Sequence, residues 1–251
     1  MTYLQFLIVF LILPIVAFCV YHTRKDDGTY ALSSYKWVAA LSIIAFVYTT
    51  PWDNYLVYRG VWYYGAERVI GTIAYVPLEE YLFFLLQPIL TGAWLLAVLR
   101  GSKSEPHVQS GTLHLGSRPL QLAFWAGVLV AGVALLYASQ THPEYTYLGL
   151  ILAWASPVLI GMAWLSADTF SVHRRAWIWG VSIPTLYLWI ADRYAIGAGI
   201  WDISDRYSLD WDPLGLPVEE AVFFLVTNIL VVQGLLMLLT RKDDDSFAIT
   251  A

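Results

Sequence analysis

The chain has 251 residues, of which 59% are hydrophobic and only 13% charged, with a mean hydropathy of +0.60. A soluble domain carries about twice that charge, so the composition excludes an ordinary globular protein and points to a chain embedded in lipid. The mildly acidic balance, a net charge of −5, argues against nucleic acid as a partner.

Seven apolar runs long enough to cross a bilayer follow one another: 3–21, 36–58, 78–99, 119–139, 146–166, 176–197 and 217–239. The predicted fold class is an all-α integral membrane protein with seven transmembrane helices. The first run lacks a basic start and an A-x-A site, so it is expected to remain as a span rather than act as a cleaved signal peptide. Cys19 is the single cysteine and lies mid-span, which leaves no disulfide framework and no thiolate metal site. Residues 101–117, rich in Ser, Gly, His, Pro and Glu, read as a polar connector.

Basic residues set the expected orientation. Arg24, Lys25, Lys36, Arg100, Lys103, Arg118, Arg174, Arg175, Arg241 and Lys242 fall on one side, and only Arg59, Arg68, Arg193 and Arg206 on the other. This asymmetry predicts a multi-pass protein of the cell membrane with its N-terminus outside and its C-terminus in the cytoplasm. The two large loops, 59–76 and 198–216, then lie on the outer face.

The chain repeats itself. Pro77-Leu78-Glu79-Glu80-Tyr81-Leu82-Phe83-Phe84 returns as Pro217-Val218-Glu219-Glu220-Ala221-Val222-Phe223-Phe224, with five of the eight residues identical. Asp53-Asn54-Tyr55 followed by Gly60-Val61-Trp62 matches Asp192-Arg193-Tyr194 followed by Gly199-Ile200-Trp201. Thr2-Tyr3-Leu4 with Pro14 resembles Thr146-Tyr147-Leu148 with Pro157 more loosely. The expected organisation is a three-helix repeat (1–100), a connector with a linker helix (101–142) and a second three-helix repeat (143–251). An intervening single span makes such repeats parallel, a 3+1+3 arrangement with its axis along the membrane normal, and sets both carboxylate pairs at one depth.

Pro77 and Pro217 suit the first turn of a helix, where a missing N–H is tolerated. Two carboxyl groups held side by side and partly buried can share a proton, giving a general acid with its conjugate base at hand. Adjacent helical residues point about 100° apart. Glu80 shares a stripe with Phe84, Gln87 and Thr91, and Glu220 with Phe224 and Thr227. That stripe favours Glu80 and Glu220 as the inward members, with Glu79 and Glu219 as partners. The bland alternative is four solvated glutamates at the headgroup level. Asp53 and Asp192 read either as interfacial residues exposed to water or as second carboxylates and orienting partners. Asp202, Asp205, Asp210 and Asp212 have no calcium-loop spacing and are expected to be solvated. Aromatics crowd the motifs, among them Trp62, Trp201, Phe83, Phe84, Phe223 and Phe224. Each ring taken singly suits packing or the interfacial belt, but aromatic faces also attract cations where water is excluded.

The paired Pro-x-Glu-Glu-x-x-Phe-Phe motifs, the Asp-x-Tyr…Gly-[Val/Ile]-Trp segments and the three-helix repeats resemble the membrane-integral lycopene cyclases of actinobacteria, archaea and fungi. The resemblance covers essentially the whole chain, which looks like both small subunits fused through an extra span. It implies a redox-neutral isomerisation. An acid protonates C2 of the acyclic ψ end of lycopene, the C5=C6 double bond attacks the C1 cation, and a base removes a proton from C6 (β ring) or C4 (ε ring). Glu79, Glu80, Glu219 and Glu220 would supply acid and base. The implied partner is lycopene or a related acyclic carotenoid within the lipid bilayer, with other carotenoid enzymes or a second copy as further candidates. No cofactor and no metal is expected. Gly197-Ala198-Gly199 lacks the third glycine and the setting of the dinucleotide site that flavin-containing cyclases carry. The chain is also expected to lack the phytoene synthase domain of the fungal fusions.

Other classes fit less well. A small-solute transporter with 3+1+3 repeats is the alternative, but transporters line their path with midplane polar residues, whereas charge here gathers at one rim. A retinal receptor needs a lysine in the last span, and none occurs in 217–239. A Glu-Glu intramembrane protease needs membrane histidines, yet His22, His107, His114, His142 and His173 all fall in loops or at span ends.

Overall fold

A computed structural model of the chain describes residues 1–25, 34–101, 117–167, 169 and 173–248, with side chains up to 240. Most of the connector predicted at 101–117, with Lys103, His107 and His114, lies outside the described residues, as do the side chains of Arg241 and Lys242.

The chain is mostly helical. Its long helices are α1 (Tyr3–Arg24), α2 (Tyr35–Arg59), α3 (Leu78–Gly101), α4 (Arg118–Ala138), α5 (Thr146–Ser166), α6 (Arg174–Gly197) and α7 (Val218–Ala248). Five of these regions are long and apolar enough to cross a membrane: Tyr3–Arg24, Leu78–Gly101, Arg118–Ala138, Pro143–Ser166 and Val218–Thr240. Helices α2 and α6 have the length, but Lys36, Asp53 and Arg59 in one, and Arg174, Arg175, Asp192 and Arg193 in the other, reduce their mean hydropathy.

Local chemistry sets the helix ends. At the start of α1, Thr2 accepts from the Gln5 N–H while Gln5 accepts from the Thr2 N–H, a reciprocal cap. α2 ends where Gly60 adopts φ +67°, with Gly60 N–H donating to Val57 and Val61 N–H to Leu56. α6 closes the same way at Gly199, φ +64°, through Gly199 to Ile196 and Ile200 to Ala195. These are left-handed glycine caps that satisfy carbonyls a helix end leaves open.

The loops 59–76 and 198–216 meet in two short strands. β1 (Trp62–Tyr64) pairs antiparallel with the strand Trp201–Ile203, in the register Trp62 to Ile203, Tyr63 to Asp202 and Tyr64 to Trp201. These positions correspond between the repeated segments, so the pairing is reciprocal, as a local two-fold axis through the Tyr63–Asp202 pair requires. A second small hairpin, β2 (Thr72–Ile73) with β3 (Val76–Pro77), leads into α3, and the Trp201–Ile203 strand is hereafter β4.

The core lies between α3, α6 and α7, backed by α1, α2 and α5. By contrast α4 packs chiefly on α5 and is only 6% buried along its apolar window, so it stands at the periphery. Their approach depends on Gly132, where a Cβ would meet Ala153 N at 2.8 Å and Leu152 Cβ at 2.9 Å. Small residues permit such close helix contact in lipid. Gly132→Leu is expected to force α4 off α5 at a cost of about 1–3 kcal/mol, read as a lowered thermal midpoint in detergent. An unchanged midpoint would show that the contact contributes little.

Candidate active site

Each doubled motif opens a helix directly beneath the β1–β4 pair. All four glutamates are buried: Glu79 and Glu219 are 0% exposed, Glu80 8% and Glu220 3%. The two members of each pair part company there. Glu79 Oε1 accepts the Ile70 N–H at 2.8 Å and Glu219 Oε1 the Leu209 N–H at 2.7 Å, so each first glutamate ties the loop before its helix to that helix. The second glutamates turn the other way, toward one small cavity of about 30 Å³.

Glu80, Glu220 and Asp192 line that cavity with Trp62, Trp201, Phe83, Phe223 and Phe224, and Tyr3 and Tyr64 complete it. Tyrosines hold the two glutamates. Tyr3 donates to Glu80 Oε2 at 2.5 Å, and Tyr64 donates to the same oxygen at 3.1 Å. Tyr147 donates to Glu220 Oε1 at 2.5 Å. Tyr3 and Tyr147 occupy matching places, since Tyr3 N–H donates to Arg68 O and Tyr147 N–H to Tyr207 O. Tyr64 as a whole is partly exposed, but its hydroxyl end is buried. That burial, then the Glu80 and Asp53 carboxyls, push its phenol well above the ordinary range, so Tyr64 remains a donor.

The aspartates are buried rather than bathed in water, Asp53 at 0% and Asp192 at 1% exposure. Asp192 Oδ1 accepts the Trp201 indole N–H at 2.8 Å. Asp53 lies within electrostatic reach of Glu80 and Glu220, yet neither of its oxygens, nor the Trp62 indole N–H, has a hydrogen-bond partner among the described residues. The repeat is therefore unequal at this pair. Also among the described residues, no basic side chain comes within salt-bridge distance of these carboxyls. Phe84 does not line the cavity; it packs edge-on against Tyr81. Asp202, Asp205, Asp210 and Asp212 are exposed in the loop 198–216.

Below the cavity a polar cluster crosses three helices. Asn228 Oδ1 accepts from Gln87 Nε2 at 2.9 Å and from Thr91 Oγ1 at 2.6 Å, while Asn228 Nδ2 donates to Thr185 Oγ1 at 3.1 Å. The stripe reading assigned Thr227 as the deep polar residue of the second motif. Thr227 instead turns its hydroxyl back to the Phe223 and Phe224 carbonyls, and Asn228 takes the inward place. Asn228→Leu breaks all three bonds. Interhelical hydrogen bonds in membranes average about 0.6 kcal/mol each, so the expected loss is about 2 kcal/mol, measured by thermal inactivation in detergent. A midpoint equal to that of the unaltered chain would contradict it.

The lycopene beta-cyclase of Halobacterium salinarum is 41% identical over 239 residues, covering 94% of this chain and 95% of its own. The chain belongs to the lycopene cyclase family. Fungal bifunctional lycopene cyclase/phytoene synthases match as well: that of Arthroderma gypseum is 37% identical over 216 residues and that of Neurospora crassa 37% over 207. These alignments cover 79% and 78% of this chain but only 35% and 33% of the fungal proteins, so the matched part is about a third of each. No family model and no solved structure matches. Within this lycopene cyclase family member, the hydroxyl roles of Tyr3, Tyr64 and Tyr147 were not legible in the sequence. Their only signal was a place at the head of an apolar run or in a crowded aromatic loop, where any membrane protein carries tyrosines.

Proposed function

We propose that this protein is a lycopene cyclase forming β-type rings, an intramolecular lyase or isomerase acting on the ψ ends of a carotenoid held in the bilayer. The observation that carries the reading is one small, aromatic-walled cavity into which both second glutamates of the doubled motif turn. The names of the relatives supply the substrate class and the ring type.

Glu80 and Glu220 are the acid–base pair. One carboxyl delivers its proton to C2 of the ψ end. The resulting C1 cation is attacked by the C5=C6 double bond, which closes the ring and moves the charge to C5. The other carboxyl, or the first after losing its proton, takes a proton from C6. One proton enters and one leaves, so no electrons are exchanged. The faces of Trp62, Trp201, Phe83 and Phe223 stabilise the intermediate cations, and most strongly where water is excluded. Tyr3, Tyr64 and Tyr147 hold the carboxyls by hydrogen bonds. Glu79 and Glu219 fix the loop that roofs each helix start, and Asp192 fixes Trp201. Phe84 is a packing residue, and Asp53 is a buried carboxyl beside the pair.

The reciprocal β1–β4 pairing supports seven spans in a parallel 3+1+3 arrangement, because that register is the one a two-fold axis between the two repeats would give. The basic-residue asymmetry supports an outside N-terminus and a cavity near the outer face. Expression in a lycopene-accumulating host tests the function: cyclic carotenoids should appear on chromatography, and unchanged lycopene at full protein expression would refute it.

A further inference from the structure

The cavity is small, about 30 Å³, well below the size of an ordinary ligand site. It cannot take an extended C40 polyene, so most of the substrate must lie elsewhere while an end reacts. Ring stacking marks where. Phe223, in the cavity wall, stacks on Trp52 of α2 with centroids 5.8 Å apart and planes 8° apart. Trp52 stacks on Trp154 of α5 at 4.7 Å and 22°. Trp154 stacks in turn on Tyr48 of α2 at 5.5 Å and 24°. Tyr48 is 40% exposed on the lateral face of the helix layer, and its hydroxyl donates to the Trp154 carbonyl at 2.8 Å. Four rings thus join the lipid-facing surface to the cavity in an unbroken strip.

The internal repeat provides a control for this feature. At the equivalent seam, Tyr187 of α6 donates to the Phe10 carbonyl of α1 at 2.9 Å. Position 191, equivalent to Trp52, is a buried alanine. Both seams keep the tyrosine bridge. The α1–α6 seam has its own ring contacts, from exposed Tyr194 through Phe10 and Phe6 to Trp201, but these are tilted or edge-on. Only the α2–α5 seam carries near-parallel stacked indoles. The indole N–H groups of Trp52 and Trp154 are buried and have no hydrogen-bond partner among the described residues. The π electrons of a conjugated chain are a weak acceptor for such donors, which a saturated lipid chain does not offer.

We infer that the Tyr48–Trp154–Trp52 strip is the binding site for the tail of a linear conjugated polyene and its lateral route from the bilayer. The inference rests on the cyclase reading for its substrate, and it assigns both chain ends in turn to the same cavity and the same seam. Protein reconstituted in phosphatidylcholine liposomes is the test, with Tyr48→Ala, Trp154→Leu and, as a lipid-facing control, Trp164→Ala, which is 64% exposed. The first two should raise the lycopene mole fraction at half-maximal rate by about 3- to 10-fold, the worth of one or two lost aromatic contacts, with kcat within about 2-fold. Trp164→Ala should change neither. A second arm needs no turnover: quenching of tryptophan fluorescence by a linear conjugated tetraene should show the same shift in half-saturation. Unshifted half-saturation in Tyr48→Ala and Trp154→Leu, whether or not lycopene is cyclised, overturns the strip. A shift in the tetraene arm without lycopene turnover upholds the strip and rejects the cyclase reading alone.

Discussion

Replacing either Glu80 or Glu220 by glutamine is expected to lower formation of both rings by about 10²-fold or more. Glutamine keeps the shape and still accepts the tyrosine hydroxyls, so it removes the transferable proton and little else. The doubled motif, read as sequence, invites a picture of two sites serving the two ends of a symmetrical substrate. The structure merges them, because Glu80 and Glu220 line one cavity with Asp192 between the same aromatic walls. In a single composite site, losing either carboxyl stops the first ring as well as the second. Carotenoid chromatography from a lycopene-accumulating host, normalised to membrane-inserted protein, gives the answer. Rapid accumulation of a monocyclic carotenoid in each variant would indicate two independent sites. Near-normal activity in both variants would remove the assignment altogether.

The second large effect separates the two halves. Tyr147 supplies the one side-chain hydrogen bond that Glu220 receives among the described residues, whereas Glu80 is held by both Tyr3 and Tyr64. A hydrogen bond to a charged group contributes about 1.5–3 kcal/mol, which corresponds to about 10- to 10²-fold in rate if the group must be held for reaction. Tyr147→Phe should therefore reduce kcat by about that factor. Tyr3→Phe leaves Tyr64 in place and should have a smaller effect, of about 10-fold or less. Tyr3→Phe combined with Tyr64→Phe should match Tyr147→Phe. Equal losses from the two single variants would show that the tyrosines act on packing rather than on the carboxyls. A change confined to KM would show that they touch substrate.

Much of the fold was legible because apolar runs of span length carry a strong signal, and the helices begin and end close to those runs. The doubled motif was legible for the same reason: Pro, paired Glu and paired Phe are an uncommon set at the head of an apolar stretch. Helical stripes separate Glu80 from Glu79 because adjacent residues point about 100° apart. The same stripes failed at Thr227. The copies align residue for residue, but Gln87 reaches across the interface to Asn228, one position further on, and leaves its aligned partner at the rim of the stripe. Tyr3 and Tyr147 escaped because their partners are 77 and 73 residues away, and nothing local distinguishes a tyrosine that holds a buried carboxyl from a belt tyrosine. Asp53 and Asp192 look equivalent in sequence. Only the structure separates them, since the Trp201 indole reaches Asp192 while the Trp62 indole does not reach Asp53. The strands β1 and β4, three residues each, are too short to show a period, yet they bring the two copies together.

The most direct test of the central claim is cyclisation by purified, liposome-reconstituted protein in deuterated water, with lycopene as substrate and mass spectrometry of the product. Protonation of C2 by Glu80 or Glu220 predicts one deuterium retained per ring formed, so a monocyclic product gains one and a bicyclic product two. A cyclic product without deuterium would contradict the account.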